Sequence, residues 1–287
     1  MTYTTVVPTA ILEGNIDTWA VLDCRFDLHQ HDWGHQQYRL GHIPGAVYVS
    51  LSDDLAAQQS SGGRHPLPSV DALAATFGRL GIDRSTQVAV YDQDAGLFAS
   101  RLWWSLRYLG HDAVAVVDGG WAKWVREGRP VRSGDESRRP ALFVPQPRTG
   151  MPISLDEVIR NLDAPERLLI DARGPDRFEG QSEPIDRVAG HIPGAVNHFY
   201  RWNVDADGTF LSPAVLREKF AAVLDGRAPS QAIVYCGSGV SACHNLLAME
   251  HAGLPGARLY VGSWSEWSSD PARPVETGPP RTRQRIP

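Results

Sequence analysis

The chain has 287 residues, enough for one large domain or two of ordinary size. Its 42% hydrophobic and 21% charged residues are typical of a globular protein, and a formal charge of −5 gives no electrostatic attraction for nucleic acid. No apolar run approaches the roughly 18 residues of a membrane span and no signal-like segment is recognised, so we expect a cytoplasmic protein with small-molecule partners and neither a nucleic-acid nor a membrane partner.

An internal repeat organises the chain. Four landmarks occur in the same order in both halves: VLDCR (21–25) and LIDAR (169–173), GHIPGAV (41–47 and 190–196), VAVYD (88–92) and AIVYC (232–236), DGGWAKW (118–124) and VGSWSEW (261–267). Such self-similarity indicates two copies of one structural unit. The first copy is slightly longer, and we place its extra residues in the loop SGGRHPLPS (61–69).

Within each copy, short apolar runs alternate with stretches of helical periodicity, which predicts a mainly parallel sheet with helices on both faces. The elements predicted in the second copy are helix 154–161, strand 167–171, helix 213–224, strand 232–235, helix 240–251 and strand 258–260. We therefore predict an α/β protein with domains at 1–130 and 151–287. The Pro- and Arg-rich segment 131–150 between them lacks periodicity and is predicted to be a linker.

Cys236 is the main candidate for chemistry. It follows a predicted strand and opens the loop CGSGVS (236–241), after which a helix is predicted. In an open α/β sheet this is the edge that binds ligands, and backbone N–H groups at a helix N-terminus stabilise a thiolate. The alternative is a small buried hydrophobic residue, but a strand–Cys–Gly–x–Gly–helix arrangement has little structural need for a sulfur.

The cysteine loop, the doubled GHIPGA and the tryptophan motifs together resemble the tandem rhodanese family, in particular its 3-mercaptopyruvate sulfurtransferase branch with the loop CG(S/T)GVT. The resemblance covers nearly the whole chain and implies two rhodanese-like domains. It implies that Cys236 is the sulfur-accepting nucleophile and that Gly237, Gly239, Val240 and Ser241 form a cradle. Ser241 departs from the usual threonine but keeps the hydroxyl.

The same resemblance implies roles for further residues. Arg177, in DARGPDRF, is expected to bind the sulfur donor, with a solvated loop charge as the alternative. Arg187 is the candidate for a second substrate-binding arginine. Ser238 is expected to relay a proton, with His42 and an upstream acid, Asp32, behind it. A histidine recurs in the second copy of GHIPGAV, so a structural role is the alternative for His42.

The first copy has Asp92 in place of the nucleophile, and a carboxylate cannot carry a persulfide, so this domain is predicted to be catalytically inactive. Cys24 and Cys243 are interpreted as packing residues. We predict no metal and no organic cofactor, because no cysteine or carboxylate framework surrounds the clustered histidines 29, 31 and 35.

These features predict a sulfurtransferase that moves sulfur from 3-mercaptopyruvate to a thiophilic acceptor, such as cyanide, a thiol or a thioredoxin-like protein. The alternatives are a thiosulfate:cyanide sulfurtransferase and a non-catalytic persulfide carrier. A thiol-based phosphatase is rejected, because it needs an arginine six residues after its cysteine and Ala242 is there instead.

Overall fold

The computed structural model describes residues 1–58 and 63–279, and the chain forms two compact units. The first unit comprises 1–58, 67–149 and 204–212, and the second comprises 150–203, 213–279 and the short segment 63–66. Residues 61–62 of the predicted inserted loop lie outside the described residues. No helix in the described ranges has the length and apolarity needed to cross a bilayer.

The first unit is built around a five-stranded parallel sheet. Its elements in chain order are β1 (Val6–Val7), α1 (Thr9–Glu13), β2 (Ala20–Asp23), α2 (Trp33–Leu40), β3 (Val47–Tyr48), α3 (Val70–Arg79), β4 (Val88–Tyr91), α4 (Ala99–Tyr108), β5 (Val114–Val117) and α5 (Gly120–Arg126). The strand order is β1-β5-β4-β2-β3, with every pair parallel.

The second unit repeats this plan. Its elements are β6 (Pro152–Ile153), α6 (Leu155–Asp163), β7 (Leu168–Asp171), α7 (Pro175–Phe178), β8 (Val196–Asn197), α8 (Pro213–Leu224), β9 (Ala232–Tyr235), α9 (Ser241–His251), β10 (Arg258–Tyr260) and α10 (Ser263–Trp267), with 3₁₀ turns at 200–203 and 229–231. The order β6-β10-β9-β7-β8 is that of the first unit, element for element.

The predicted α/β class with two like units is confirmed. In each unit the central four-residue strands are buried along their whole length. Since successive side chains of a strand point to opposite faces, this burial means that both faces of each sheet are covered. Two predicted strands, 232–235 and 258–260, and the predicted helix 213–224 have the observed bounds, and the other predicted elements differ by one or two residues.

A buried arginine–aspartate pair recurs at the same place in both units. In the second unit, Nη2 of Arg173 lies 2.7 Å from Oδ2 of Asp171 and 2.6 Å from the carbonyl oxygen of Gly190. Its guanidinium carbon lies 4.7 Å from the ring centre of Trp264. Arg25 makes the equivalent set of contacts in the first unit. The pair therefore links three of the repeated motifs, and we interpret both arginines as structural.

The segment predicted to be a linker is fully described and contains no helix or strand, and its residues 131–149 belong to the first unit. The N–H of Ala141 donates to the carbonyl of Gly78 at 2.9 Å, and the ring of Phe143 packs edge-on against Phe77 at 5.3 Å. A Cβ atom on Gly78 would come within 2.9 Å of the Ala141 oxygen, so this close approach requires glycine. The segment is thus held to the first unit by hydrogen bonds along its length, although most of its side chains are exposed.

Candidate active site

Cys236 follows β9, which lies in the centre of the second sheet between β10 and β7. Its backbone is held on both sides. Its N–H donates to Oγ of Ser263 at 3.1 Å, and its carbonyl accepts from the N–H of Trp264 at 2.9 Å. The residue is 2% exposed. These bonds hold the thiol at the carboxyl edge of the sheet, where parallel α/β folds bind ligands.

The loop after Cys236 leads directly into α9. Gly239 has φ of +74°, in the left-handed region that glycine enters without a steric penalty. Val240 is buried and precedes the helix, which Ser241 begins. The Sγ of Cys243 donates to the carbonyl of Gly239 at 3.3 Å. The predicted cradle therefore lies at a helix N-terminus, where backbone N–H groups have no partner within the helix.

The matching loop of the first unit contains Asp92. Its buried carboxylate accepts four backbone N–H groups at 2.7 to 3.2 Å, those of Asp94, Gly96, Phe98 and Ala99. Burial raises the pKa of Asp92 to about 6, against the effect of the hydrogen bonds. The loop after β4 therefore directs several backbone N–H donors at one negative charge. The inactivity of this unit stays a prediction.

Ser238 contacts a histidine that lies outside the sequence motifs. Nδ1 of His65 lies 2.8 Å from Oγ of Ser238, although 173 positions separate them in the chain. His65 belongs to the segment 63–66 of the second unit. The N–H of Arg64 donates to Oγ of Ser265 at 3.1 Å, which anchors this segment. The sequence feature that could have indicated His65 is an arginine followed directly by a histidine in a loop rich in glycine and proline.

His42 has a different environment. It is fully buried in the first unit, where its Nδ1 lies 2.9 Å from the carbonyl oxygen of Tyr38 and its ring stacks on that tyrosine at 4.3 Å. Asp32 is exposed and lies 3.4 Å from His31. In the second unit, His191 stacks on Phe178 at 3.7 Å in the same manner. The repeated packing favours the structural alternative for this motif histidine, and the imidazole recorded beside Ser238 is that of His65. A relay role for His42 and Asp32 stays a prediction.

Arg177 lies beside the cysteine loop, as its predicted role requires. Its Nη1 and Nη2 are 3.8 and 3.7 Å from the point where a Cβ atom of Gly237 would stand. Two carboxylates hold it: Nε and Nη2 donate to Glu183 at 3.1 and 2.6 Å, and Nη2 donates to Asp186 at 3.1 Å. Binding of the donor by Arg177 stays a prediction.

The charges around the loop are balanced. Asp186 also pairs with Arg64, and Glu183 also pairs with Arg173, whose other partner is Asp171, so three arginines face three carboxylates. Burial raises the pKa of Asp186, and the charge of Arg64 opposes that rise. Burial acts in the same direction on Glu183, but the hydrogen bonds from Arg177 and from the backbone N–H groups of Asp186 and Ile185, together with the charge of Arg177, outweigh it, so the pKa of Glu183 is lowered. The cluster therefore brings little net charge to the loop.

Arg187 is exposed, and its Nε donates to the carbonyl of Ser268 at 3.1 Å. Within the described part of the chain it forms no ion pair with Glu183 or Asp186. Its proposed contact with the donor stays a prediction.

The other two cysteines, Cys24 and Cys243, are buried, and neither forms a disulfide within the described residues. Burial, reinforced by the nearby charge of Asp23, raises the pKa of the Cys24 thiol well above its usual range. Such a thiol is a poor nucleophile, which agrees with a packing role. Across residues 1–58 and 63–279, no group of three or more histidine, cysteine or acidic side chains has an arrangement that could hold a metal ion.

Comparison with known proteins places these features in a family. The family model for the Rhodanese-like domain matches twice, over residues 9–127 and 154–270. A Pseudomonas aeruginosa protein provisionally named 3-mercaptopyruvate sulfurtransferase is 46% identical over 261 residues, covering 90% of this chain and 92% of that protein. A Mycobacterium tuberculosis protein provisionally named thiosulfate sulfurtransferase SseB is 40% identical over 293 residues, covering 95% of this chain and 97% of that protein.

A solved structure agrees with these relatives. SseA from Escherichia coli, described with the 3-mercaptopyruvate sulfotransferases, superposes with a TM-score of 0.80 at 30% identity. The match covers 92% of this chain and 100% of SseA. The similar proteins thus include both a mercaptopyruvate and a thiosulfate enzyme by name.

Proposed function

Because this chain belongs to the rhodanese family and is a sulfurtransferase, we propose that it takes sulfur from 3-mercaptopyruvate and carries it as a persulfide on Cys236. The resemblance drawn from the sequence is confirmed by the two domain matches. One observation carries the proposal. Cys236 occupies the loop position at which, in the first unit, four backbone N–H groups surround the Asp92 carboxylate.

The first half-reaction loads the enzyme. The Cys236 thiolate attacks the sulfur of the donor, an S–S bond forms, and the C–S bond breaks with its electron pair moving to carbon. The leaving group is the enolate of pyruvate, which takes up a proton to become pyruvate. Ser238 can deliver this proton from its hydroxyl, and the His65 Nδ1 at 2.8 Å is placed to exchange protons with it.

The second half-reaction removes the sulfur from the enzyme. A nucleophile such as cyanide, a small thiol or a thioredoxin-like protein attacks the outer sulfur, and the Cys236 thiolate leaves. The persulfide anion and the thiolate form within the same loop. The same hydrogen-bond donors can therefore stabilise the negative charge in both half-reactions. This cycle uses only side chains and backbone groups of the chain.

Steady turnover distinguishes this enzyme from a persulfide carrier. With 3-mercaptopyruvate and excess cyanide, we expect pyruvate and thiocyanate to form in equal amounts over many enzyme equivalents. Continuous assays of both products at several enzyme concentrations check this. A single burst equal to the enzyme concentration, with no later turnover, would instead support the carrier. A thiol-based phosphatase predicts release from an aryl phosphate, and we expect none.

We expect Arg177→Ala to lower kcat/KM for 3-mercaptopyruvate by about ten- to a hundred-fold. Charge-assisted hydrogen bonds to a carboxylate are worth about 1.5 to 3 kcal/mol, and each 1.4 kcal/mol is a factor of ten. The control is Arg160→Ala, which removes the same charge from an exposed residue of α6 whose Nε donates to the carbonyl of Asp156. If both variants keep the native kcat/KM, Arg177 is only a partner of Glu183 and Asp186.

A further inference from the structure

Arg64 lies close to the cysteine loop. Two arginines of the second unit have a recorded distance to this loop among the described residues, and Arg64 is the nearer of them. Its Nη2 lies 2.8 Å from the point where a Cβ atom of Gly237 would stand, against 3.7 Å for the nearest atom of Arg177. Two guanidinium groups therefore converge on the residue next to Cys236. Arg64 is followed by His65, whose ring contacts Ser238. One short segment thus brings a cation and an imidazole to consecutive residues of the loop.

The two arginines differ in how their donors are used. Arg177 donates through Nε and Nη2 to Glu183 and Asp186, and its Nη1 lies 3.8 Å from the Cβ point of Gly237, farther than Nη2 of Arg64. Arg64 pairs with Asp186 through Nη1, whereas its Nη2 is directed at the loop. Its side chain is 24% exposed, so a ligand can reach it. A planar guanidinium with one edge held by a carboxylate keeps its other donors fixed in direction, which suits recognition of a second carboxylate.

We propose that Arg64 binds the carboxylate of the sulfur donor and so selects short thiol-bearing 2-oxo acids over neutral sulfur compounds. This inference rests on the proposed function for its substrate, but the binding of a small carboxylate beside Cys236 is independent of turnover. Arg64 is then a substrate-binding residue, with Asp186 orienting it from the opposite side. The simpler reading is an ion pair that neutralises Asp186, which predicts no preference for anionic reagents.

Two alkylating reagents of nearly equal size separate these readings. Iodoacetate and iodoacetamide both attach a carbon to the Cys236 sulfur with loss of iodide, but only iodoacetate has a carboxylate. We would measure both rate constants by intact mass on the native protein, Arg64→Ala, Arg64→Lys and the control Arg160→Ala. Cys236→Ser gives the background from the buried Cys24 and Cys243.

We expect Arg64→Ala to lower the iodoacetate rate constant by about ten- to a hundred-fold, the range for one charge-assisted hydrogen bond, while the iodoacetamide rate constant stays within about twofold. Arg64→Lys should be intermediate, because it keeps the charge and loses the fork. Arg160→Ala should match the native protein. The KM for 3-mercaptopyruvate should rise in Arg64→Ala, with kcat changed less.

Equal changes for both reagents in Arg64→Ala, or no change in either, would overturn the proposal. A loss of reactivity toward the neutral reagent would mean that Arg64 supports the loop and does not recognise a carboxylate. If the iodoacetate effect is present but 3-mercaptopyruvate is not turned over, the carboxylate site stands and the proposed donor is wrong. The two failures are therefore distinguishable.

Discussion

Cys236→Ser is expected to abolish sulfur loading. Serine fits the 2% exposed position and keeps the backbone bonds to Ser263 and Trp264, but its hydroxyl is a far weaker nucleophile and cannot form a persulfide. Turnover should fall by more than about a thousandfold, as it does when other enzymes lose their nucleophile. Intact mass after treatment with 3-mercaptopyruvate checks loading directly: one added sulfur on the native chain and none on the variant.

The matched control for this experiment is Cys24→Ala. Cys24 is buried in the first unit, and its raised pKa leaves little thiolate, so this variant should still gain one sulfur. Sulfur on Cys236→Ser would assign the chemistry to another residue. A native chain that gains no sulfur from any donor would contradict the persulfide mechanism.

The second large effect concerns the donor: kcat/KM for 3-mercaptopyruvate is expected to exceed that for thiosulfate by at least about a hundredfold, or about 2.7 kcal/mol. By the family resemblance, thiosulfate enzymes have basic side chains at the two positions after the cysteine. Here these are Gly237 and Ser238, both uncharged. The loss of a cation 4 Å from a dianion removes about 1 to 4 kcal/mol of electrostatic attraction, depending on the local dielectric constant.

The nearby arginines do not reverse this expectation. Arg64 and Arg177 come with Asp186 and Glu183, so the cluster offers directed donors for a carboxylate but little net charge for a dianion. Parallel assays of both donors with the same acceptor test the ratio. If thiosulfate is preferred, the loop-charge argument is wrong and the protein is a thiosulfate sulfurtransferase.

The double change Gly237→Arg with Ser238→Lys should move the ratio toward thiosulfate. A Cβ atom at 237 would come within 2.8 Å of Nη2 of Arg64, so this end of the Arg64 side chain has to shift in any variant at that position. Gly237→Ala is the matched control, because it imposes the same steric contact without a charge. If the ratio of the two kcat/KM values changes equally in both variants, the effect comes from the shape of the loop and not from its charge.

The sequence alone determined the features that depend on short-range signals. Short, largely apolar runs predicted the strands, because a parallel sheet buried on both faces needs apolar residues at nearly every position. Repetition of four landmarks predicted two units with one topology, and the strand orders agree. The position of Cys236 between a strand and a helix followed from the same local patterns, since strand, loop and helix are contiguous in the chain.

Only the tertiary structure decided which distant side chains meet that loop. His65 lies 173 positions from Ser238 in a loop without periodicity, and the first copy is a few residues longer than the second in this region, so the repeat gives no matching histidine. The family resemblance pointed to His42, while the histidine in the second copy of the motif indicated a structural role. His42 packs against Tyr38, and its part in a proton relay stays a prediction. Local patterns determine which residues form an element, whereas contacts between remote segments depend on the path of the whole chain, which no local pattern records.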